Sequence, residues 1–166
     1  IDDLPHDWHL PLHDLTDLPP GCGFGLRRPD LAQDLARVNG IATRVFPADL
    51  GDPKGVERLL ACLRESGLFV EHVLNNAGFG SAGAFARLDA ERETTMVRLN
   101  VEAVLRLTRG LLEPMQAAGR GGFINVASTA SFQPVPFMAT YGATKAFVLH
   151  FTLALAGELE GTGVRA

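Results

Sequence analysis

The chain has 166 residues, of which 46% are hydrophobic and 20% charged, with a formal net charge of −4. That is one globular domain's worth of chain, too apolar for a disordered segment and too acidic for a nucleic-acid footprint. Its longest apolar stretch, Ala146 to Gly157, is interrupted by His150 and Thr152 and is too short to span a bilayer.

From Ile1 to about residue 25 neither a helical nor an alternating period is present, and this end is expected to be irregular. His6, His9 and His13 lie among aspartates, but no ordered scaffold is evident to hold them, so no metal site is expected. Gly21, Gly23 and Gly25 stand at alternate positions between paired prolines and Pro29. A phosphate-binding turn needs a strand running in and a helix leading out, so these glycines are not read as one. Cys22 and Cys62 form neither a metal spacing nor a disulfide framework, a usage that fits a reducing, cytoplasmic compartment. No secretory signal is visible, although the chain opens on Ile1.

Beyond Pro29 the elements alternate. PDLAQDLARVNG predicts a short helix closed by Asn39-Gly40, and IATRVFPADL a strand interrupted near Pro47. DPKGVERLLACLRESG predicts a helix with Asp52 as N-cap, Pro53 at the first position and Gly67 as its stop. VEHVLNNAG reads as a strand ending in a polar turn. An amphipathic stretch from Asp89 to Ala118, interrupted near Pro114, leads to GGFINVAS as the next strand. TYGATKAFVLHFTLALAGELEG is a helix, and VRA opens a further strand. This alternation predicts a parallel sheet with helices on both faces.

Ligands of such sheets sit beyond the carboxyl ends of the strands. That rule singles out Asp49, the NNAG turn at Asn75 to Gly78, and Ser128 in NVAS. Tyr141 and Lys145 stand four apart at the start of the last helix, so both project from one face. A phenol ordinarily titrates at about pH 10, and a nearby ammonium favours its ionised form, so the pair has the makings of a general acid and base. Ser128 lacks a Gly-x-Ser-x-Gly elbow, which argues against a Ser-His-Asp hydrolase.

Five motifs in order, ADL at Ala48–Leu50, NNAG at Asn75–Gly78, RLNV with Asn100, INVAS with Ser128 and YGATK with Tyr141 and Lys145, resemble the short-chain dehydrogenase/reductases. These are NAD(P)-dependent oxidoreductases on a Rossmann fold, and the likeness runs from about Arg27 to Ala166. NNAGFG and NVASTASFQPVP look most like bacterial members of broad or unassigned substrate. The resemblance implies a catalytic set of Asn100, Ser128, Tyr141 and Lys145. In it Tyr141 passes a proton to or from the substrate oxygen, and Ser128 holds that oxygen. Lys145 binds the nicotinamide ribose and favours the ionised Tyr141, and Asn100 holds a water of the proton relay.

For the cofactor the resemblance implies Asp49 and Leu50 at the adenine, Asn75 along the adenosine, and Ala77 and Gly78 beside it. Arg27 and Arg28 fall where the family receives the 2′-phosphate of NADP, which makes NADP the expected cofactor, with NAD possible. The expected substrate is a small carbonyl or alcohol compound. The apolar run SFQPVPFMA suggests a hydrophobic one, with neither nucleic acid nor membrane as partner.

By the same resemblance the fold is a Rossmann-like doubly wound parallel sheet that lacks its first two strands and its C-terminal strands. Residues 1–25 then form an atypical segment before a partial domain at 26–166. A homodimer or homotetramer is expected through the helices around 89–118 and 141–160. The alternative reading is a catalytically inactive remnant that acts only as an interaction module.

Overall fold

A computed structural model describes residues 29–166, so the expectations placed on the histidines, on Gly21 to Gly25 and on Arg27 and Arg28 lie outside the described residues. The first helix, α1 (Pro29–Asn39), ends as expected at Gly40, whose φ of 64° is one that glycine adopts without strain. Residues 40–49 then run without joining a sheet, which corrects the strand expected there. A strand exists by pairing. No described neighbour offers this segment a ladder, and Pro47 has no N–H to give to one.

Helix α2 (Gly55–Glu65) starts two residues later than the Asp-Pro pair predicts. Asp52 caps the turn ahead of the helix instead, its carboxylate accepting the Lys54 N–H at 3.2 Å and its carbonyl the Gly55 N–H at 2.8 Å. Gly55 is required in this turn, because a Cβ there would overlap the Asp49 carbonyl oxygen. Gly67, with φ 66°, ends the helix as its position predicts. Cys62 of α2 is buried, and the expectation placed on it together with Cys22 lies outside the described residues.

The strands β1 (His72–Asn75), β2 (Gly121–Asn125) and β3 (Val164–Arg165) form one parallel sheet in the order β1-β2-β3. Asn75 lies opposite Asn125, and Gly121 opposite Val164. Between β1 and β2 runs α3 (Ala90–Val97), whose N-cap Asp89 accepts the Arg92 N–H at 2.7 Å. A single π-helical turn, Arg98–Glu102, joins α3 to α4 (Ala103–Ala118).

The interruption of this long stretch therefore falls at Asn100 and not near Pro114, which α4 carries within its length. The proline forfeits one bond to the Gly110 carbonyl. Leu107, Leu111 and Met115 around it pack into the core and keep the helix whole. Helix α5 (Ala139–Glu158) lies between β2 and β3.

The main core joins Met115 of α4, Phe123 of β2, Leu155 and Leu159 at the end of α5, and Val164 of β3, with Val73, Leu111 and Phe151 against it. A second cluster of Val56, Ala103 and Leu107 seats α2 on α4. Arg106 adds hydrogen bonds to the Pro53 carbonyl at 3.2 Å and to Glu57 at 3.1 Å. Side chains alternate across a strand, so Val73 and Phe123 face these helices while Leu74 and Ile124 point the other way. Those two are register partners and stay 63% and 61% exposed. Among the described residues α4 and α5 cover the face that carries Val73 and Phe123. No described helix is long and apolar enough to cross a membrane.

Candidate active site

The carboxyl ends of β1 and β2 open into adjacent loops. Beyond the strands the Val126 N–H still reaches the Asn75 carbonyl at 3.0 Å, which keeps the two loops side by side. Ser128 then caps a short 3-10 turn, Thr129–Ser131, its Oγ accepting the Ala130 N–H at 3.2 Å. Ser131 closes the box: its Oγ accepts the Ser128 N–H at 3.1 Å and donates to the Lys145 carbonyl at 2.8 Å. The position of Ser128 is thereby tied to α5.

Tyr141 and Lys145 occupy consecutive turns at the start of α5, as their spacing predicts. Lys145 is buried, and its Nζ donates to the Val126 carbonyl at 2.6 Å. One of the three ammonium donors is so spent on the end of β2, and two remain. Asn100, 1% exposed, sits behind this pair. Its Nδ2 donates to the Phe79 carbonyl at 2.9 Å and to Thr144 Oγ1 at 3.1 Å, while its Oδ1 accepts the Phe79 N–H at 3.2 Å. The π-helical turn is what carries this amide to the loop, and such bulges recur at functional sites.

Gly78 and Gly80 cross over these groups without side chains. A Cβ at Gly78 would stand 2.9 Å from Asn100 Oδ1 and 3.8 Å from Lys145 Nζ, and one at Gly80 would stand 3.0 Å from Tyr141 Cδ2. The result is a cavity of about 530 Å³ lined by Gly78, Gly80, Ser81, Ala127, Tyr141 and Lys145 among others. On the other side of α5's first turns lies a groove of about 600 Å³ walled by Phe132, Pro134, Val135, Pro136 and Ala143, part of the apolar run that was expected to line a pocket.

Of the residues expected at the adenosine end, Asp49, Leu50, Asn75 and Ala77 do not line this cavity. Asp49 is exposed and its Oδ1 accepts the Gly51 N–H at 2.9 Å, in the turn before α2. Leu50 packs against the Val56, Ala103 and Leu107 cluster. Asn75 spends an N–H on Asn125 Oδ1 at 2.8 Å, and Asn125 in turn donates to Thr152 Oγ1 at 2.9 Å. Ala77 and Gly78 are exposed, and of the two Gly78 lines the cavity.

Ser131 and Thr144 were not anticipated. Ser131 carries a readable signal, a second hydroxyl three residues after Ser128 in the manner of a capping box. Thr144 carries none, since a threonine beside a lysine on a helix is unremarkable until its partner is known.

Residues 26–166 match the family model described as short chain dehydrogenase. Sulfoacetaldehyde reductase 2 of Chromohalobacter salexigens is 34% identical over 141 residues, covering 84% of this chain and 55% of the relative. The NADP-dependent 3-hydroxy acid dehydrogenase YdfG of Escherichia coli K12 is 33% identical over 140 residues, covering 84% and 56%. Among solved structures, a short-chain dehydrogenase from Sphingobium yanoikuyae in complex with NADPH superposes with a TM-score of 0.75 at 33% identity, over 81% of this chain and 52% of that one. The chain spans about half the length of the curated relatives it matches. Its fold is Rossmann-like, with three parallel strands among the described residues. The family match takes in every described element of sheet and helix, and the chain belongs to the short-chain dehydrogenases.

Proposed function

We propose that this chain carries the proton-handling part of an NADP-dependent oxidoreductase acting on a carbonyl or alcohol substrate. The observation that supports it above the others is the convergence of Tyr141 and Lys145 on one glycine-walled cavity, with Asn100 buried behind them. The residues present suit a nicotinamide cofactor: Gly78 leaves open a space beside Lys145 Nζ that a Cβ would narrow, and Lys145 keeps two donors for ribose hydroxyls. Asp49, Asn75, Ala77 and Gly78 would border the rest of it, with Arg27 and Arg28 at the 2′-phosphate. Leu50 belongs to the same proposal, although its side chain now serves the core. NADP is favoured by the NADP-dependent and NADPH-bound relatives.

When bound, the nicotinamide supplies or accepts the hydride. The chain's own groups handle the proton. The Tyr141 phenol gives it to, or takes it from, the substrate oxygen. Ser128 Oγ accepts the Ala130 N–H, and a hydroxyl that accepts one bond keeps its own proton to donate to that oxygen. Lys145, anchored by Val126, presents its remaining positive donors beside Tyr141. Asn100 has committed its amide N–H groups to Phe79 and Thr144, so any water it holds in a relay would meet its remaining acceptor capacity. The groove along Phe132 to Pro136 would receive the apolar part of the substrate.

A self-assembly of this chain belongs to the same reading, because Val97, Leu105 and Leu153 leave apolar surface exposed on α3, α4 and α5. So does a cytoplasmic location.

The reading is tested by fluorescence titration with NADPH followed by NADPH oxidation against a panel of ketones and aldehydes. Saturable binding and turnover are expected, with Tyr141→Phe lowering kcat by about 10²- to 10⁴-fold. Absence of saturable binding in a folded sample would favour the interaction-module alternative.

A further inference from the structure

The stretch from Ala90 to Glu102 reaches the loop after β1 in two places. Asn100 grips Phe79 through both its N–H and its carbonyl, and reaches α5 at Thr144. Seven residues earlier, two helical turns away, stands Glu93. It is 7% exposed, and both carboxylate oxygens are buried without a hydrogen bond of standard geometry. A buried carboxylate in that state is costly and calls for a physical reason.

The groups facing it are the hydroxyls of Ser81 and Thr140. Ser81 first and Thr140 second hold the Glu93 carboxyl below its ordinary value, against the opposing effect of burial; Arg92 acts with them and Asp89 against. Ser81 Oγ is itself buried and, like the Glu93 oxygens, makes no hydrogen bond of standard geometry. Ser81 lies two residues beyond Phe79 in the loop, and Thr140 four residues before Thr144 on α5. The Glu93 contacts thus repeat the Asn100 contacts two turns earlier on their own helix and one turn earlier on α5, joining the same three segments.

Tyr141 sits between the two sets. Gly80, which separates Phe79 from Ser81, passes so close to the Tyr141 ring that a Cβ would reach 3.0 Å from Cδ2. At the loop's far end the Gly83 N–H donates at 2.8 Å to the carbonyl of Phe137, the described non-glycine residue with positive φ, 65°. Such a conformation persists only where the surroundings over-determine it.

We propose that Glu93 is a positioning residue for Tyr141: by seating the Ser81 and Thr140 hydroxyls it holds the loop of residues 78–83 onto the Tyr141 ring and sets how much of the phenol the cavity exposes. The proposal rests on the reading of Tyr141 as the proton-transferring group. It gives Glu93 no contact with substrate or cofactor.

Tyr141 is the one tyrosine in the chain, so nitration by tetranitromethane, read as a mass gain on its peptide, reports this phenol without any turnover. In Glu93→Ala, at a temperature where circular dichroism shows the protein folded, the nitration rate rises severalfold. Glu93→Gln keeps an oxygen acceptor for the hydroxyls and stays near the wild-type rate. The Ser81→Ala, Thr140→Val double variant keeps the carboxylate but removes its partners, and behaves as Glu93→Ala does. A wild-type rate in Glu93→Ala overturns the proposal, as does a wild-type rate in the double variant should Glu93→Ala not fold. An inactive wild type that still shows this pattern of rates would sink the oxidoreductase reading and leave the positioning role standing. An active wild type whose nitration ignores all three variants would do the reverse.

Discussion

Tyr141 and Lys145 were legible as single residues because a spacing of four on a helix fixes a shared face whatever the rest of the fold does. Glu93 was not, since an acidic residue in a polar helix start looks solvated until α5 is laid across it and its exposure falls to 7%. Its burial makes a prediction at this scale. Hydroxyl contacts hold the folded-state pKa of Glu93 below its ordinary 4.5. The ionised group therefore stabilises the fold above that unfolded value, and the contribution is lost as pH falls through the lower folded value. Denaturant midpoints measured along a pH series should show Glu93→Gln less stable than wild type at neutral pH, with the gap closing as the solution is acidified below that range.

Among the elements, α3 is the one whose start the sequence marks most firmly. Asp89 stands where the amphipathic stretch begins and accepts the Arg92 N–H at 2.7 Å. Asp89→Ala should cost about 1 kcal/mol, read from the shift in thermal or denaturant midpoint, while the cavity-facing groups on α5 stay in place. The π-helical turn that follows was not legible. A one-residue bulge leaves no periodicity signal over so short a stretch, whereas Pro114 carries an obvious one and proved compatible with α4. Asp52-Pro53 misled in the same way: both residues suit a helix start, but the close approach of Gly55 to the Asp49 carbonyl delays the helix by two positions. Residues 40–49 show the limit of strand patterns, because extended sequence becomes a strand only when another backbone accepts it.

For the whole molecule, the asymmetry of the sheet has the largest consequence. Phe123 is 3% exposed between α4 and α5, while Ile124 beside it is 61% exposed on the opposite face. Phe123→Ala should destabilise by about 3–5 kcal/mol through the cavity it leaves. Leu74→Thr with Ile124→Thr should leave the unfolding midpoint nearly unchanged and lower the binding of an apolar dye. If the double variant destabilised as strongly as Phe123→Ala, that face would have to be covered in solution. The same asymmetry places the site: with α4 and α5 on one side, the loops after β1 and β2 meet the first turns of α5 at the carboxyl edge of the sheet.

Local rules were enough for the sequence to determine the alternation of helices and strands, the parallel sheet, and the pairing of Tyr141 with Lys145 on one helical face. Spacing and side-chain chemistry act within a few residues and survive any packing. Only the tertiary structure decided that Asn100 binds Phe79 and Thr144, that Ser131 ties Ser128 to α5, and that Glu93 is enclosed by Ser81 and Thr140. Each of these joins segments far apart in the chain. Their partners exist because the chain folds back on itself, and a polar side chain's role follows from what it is left facing once water is excluded.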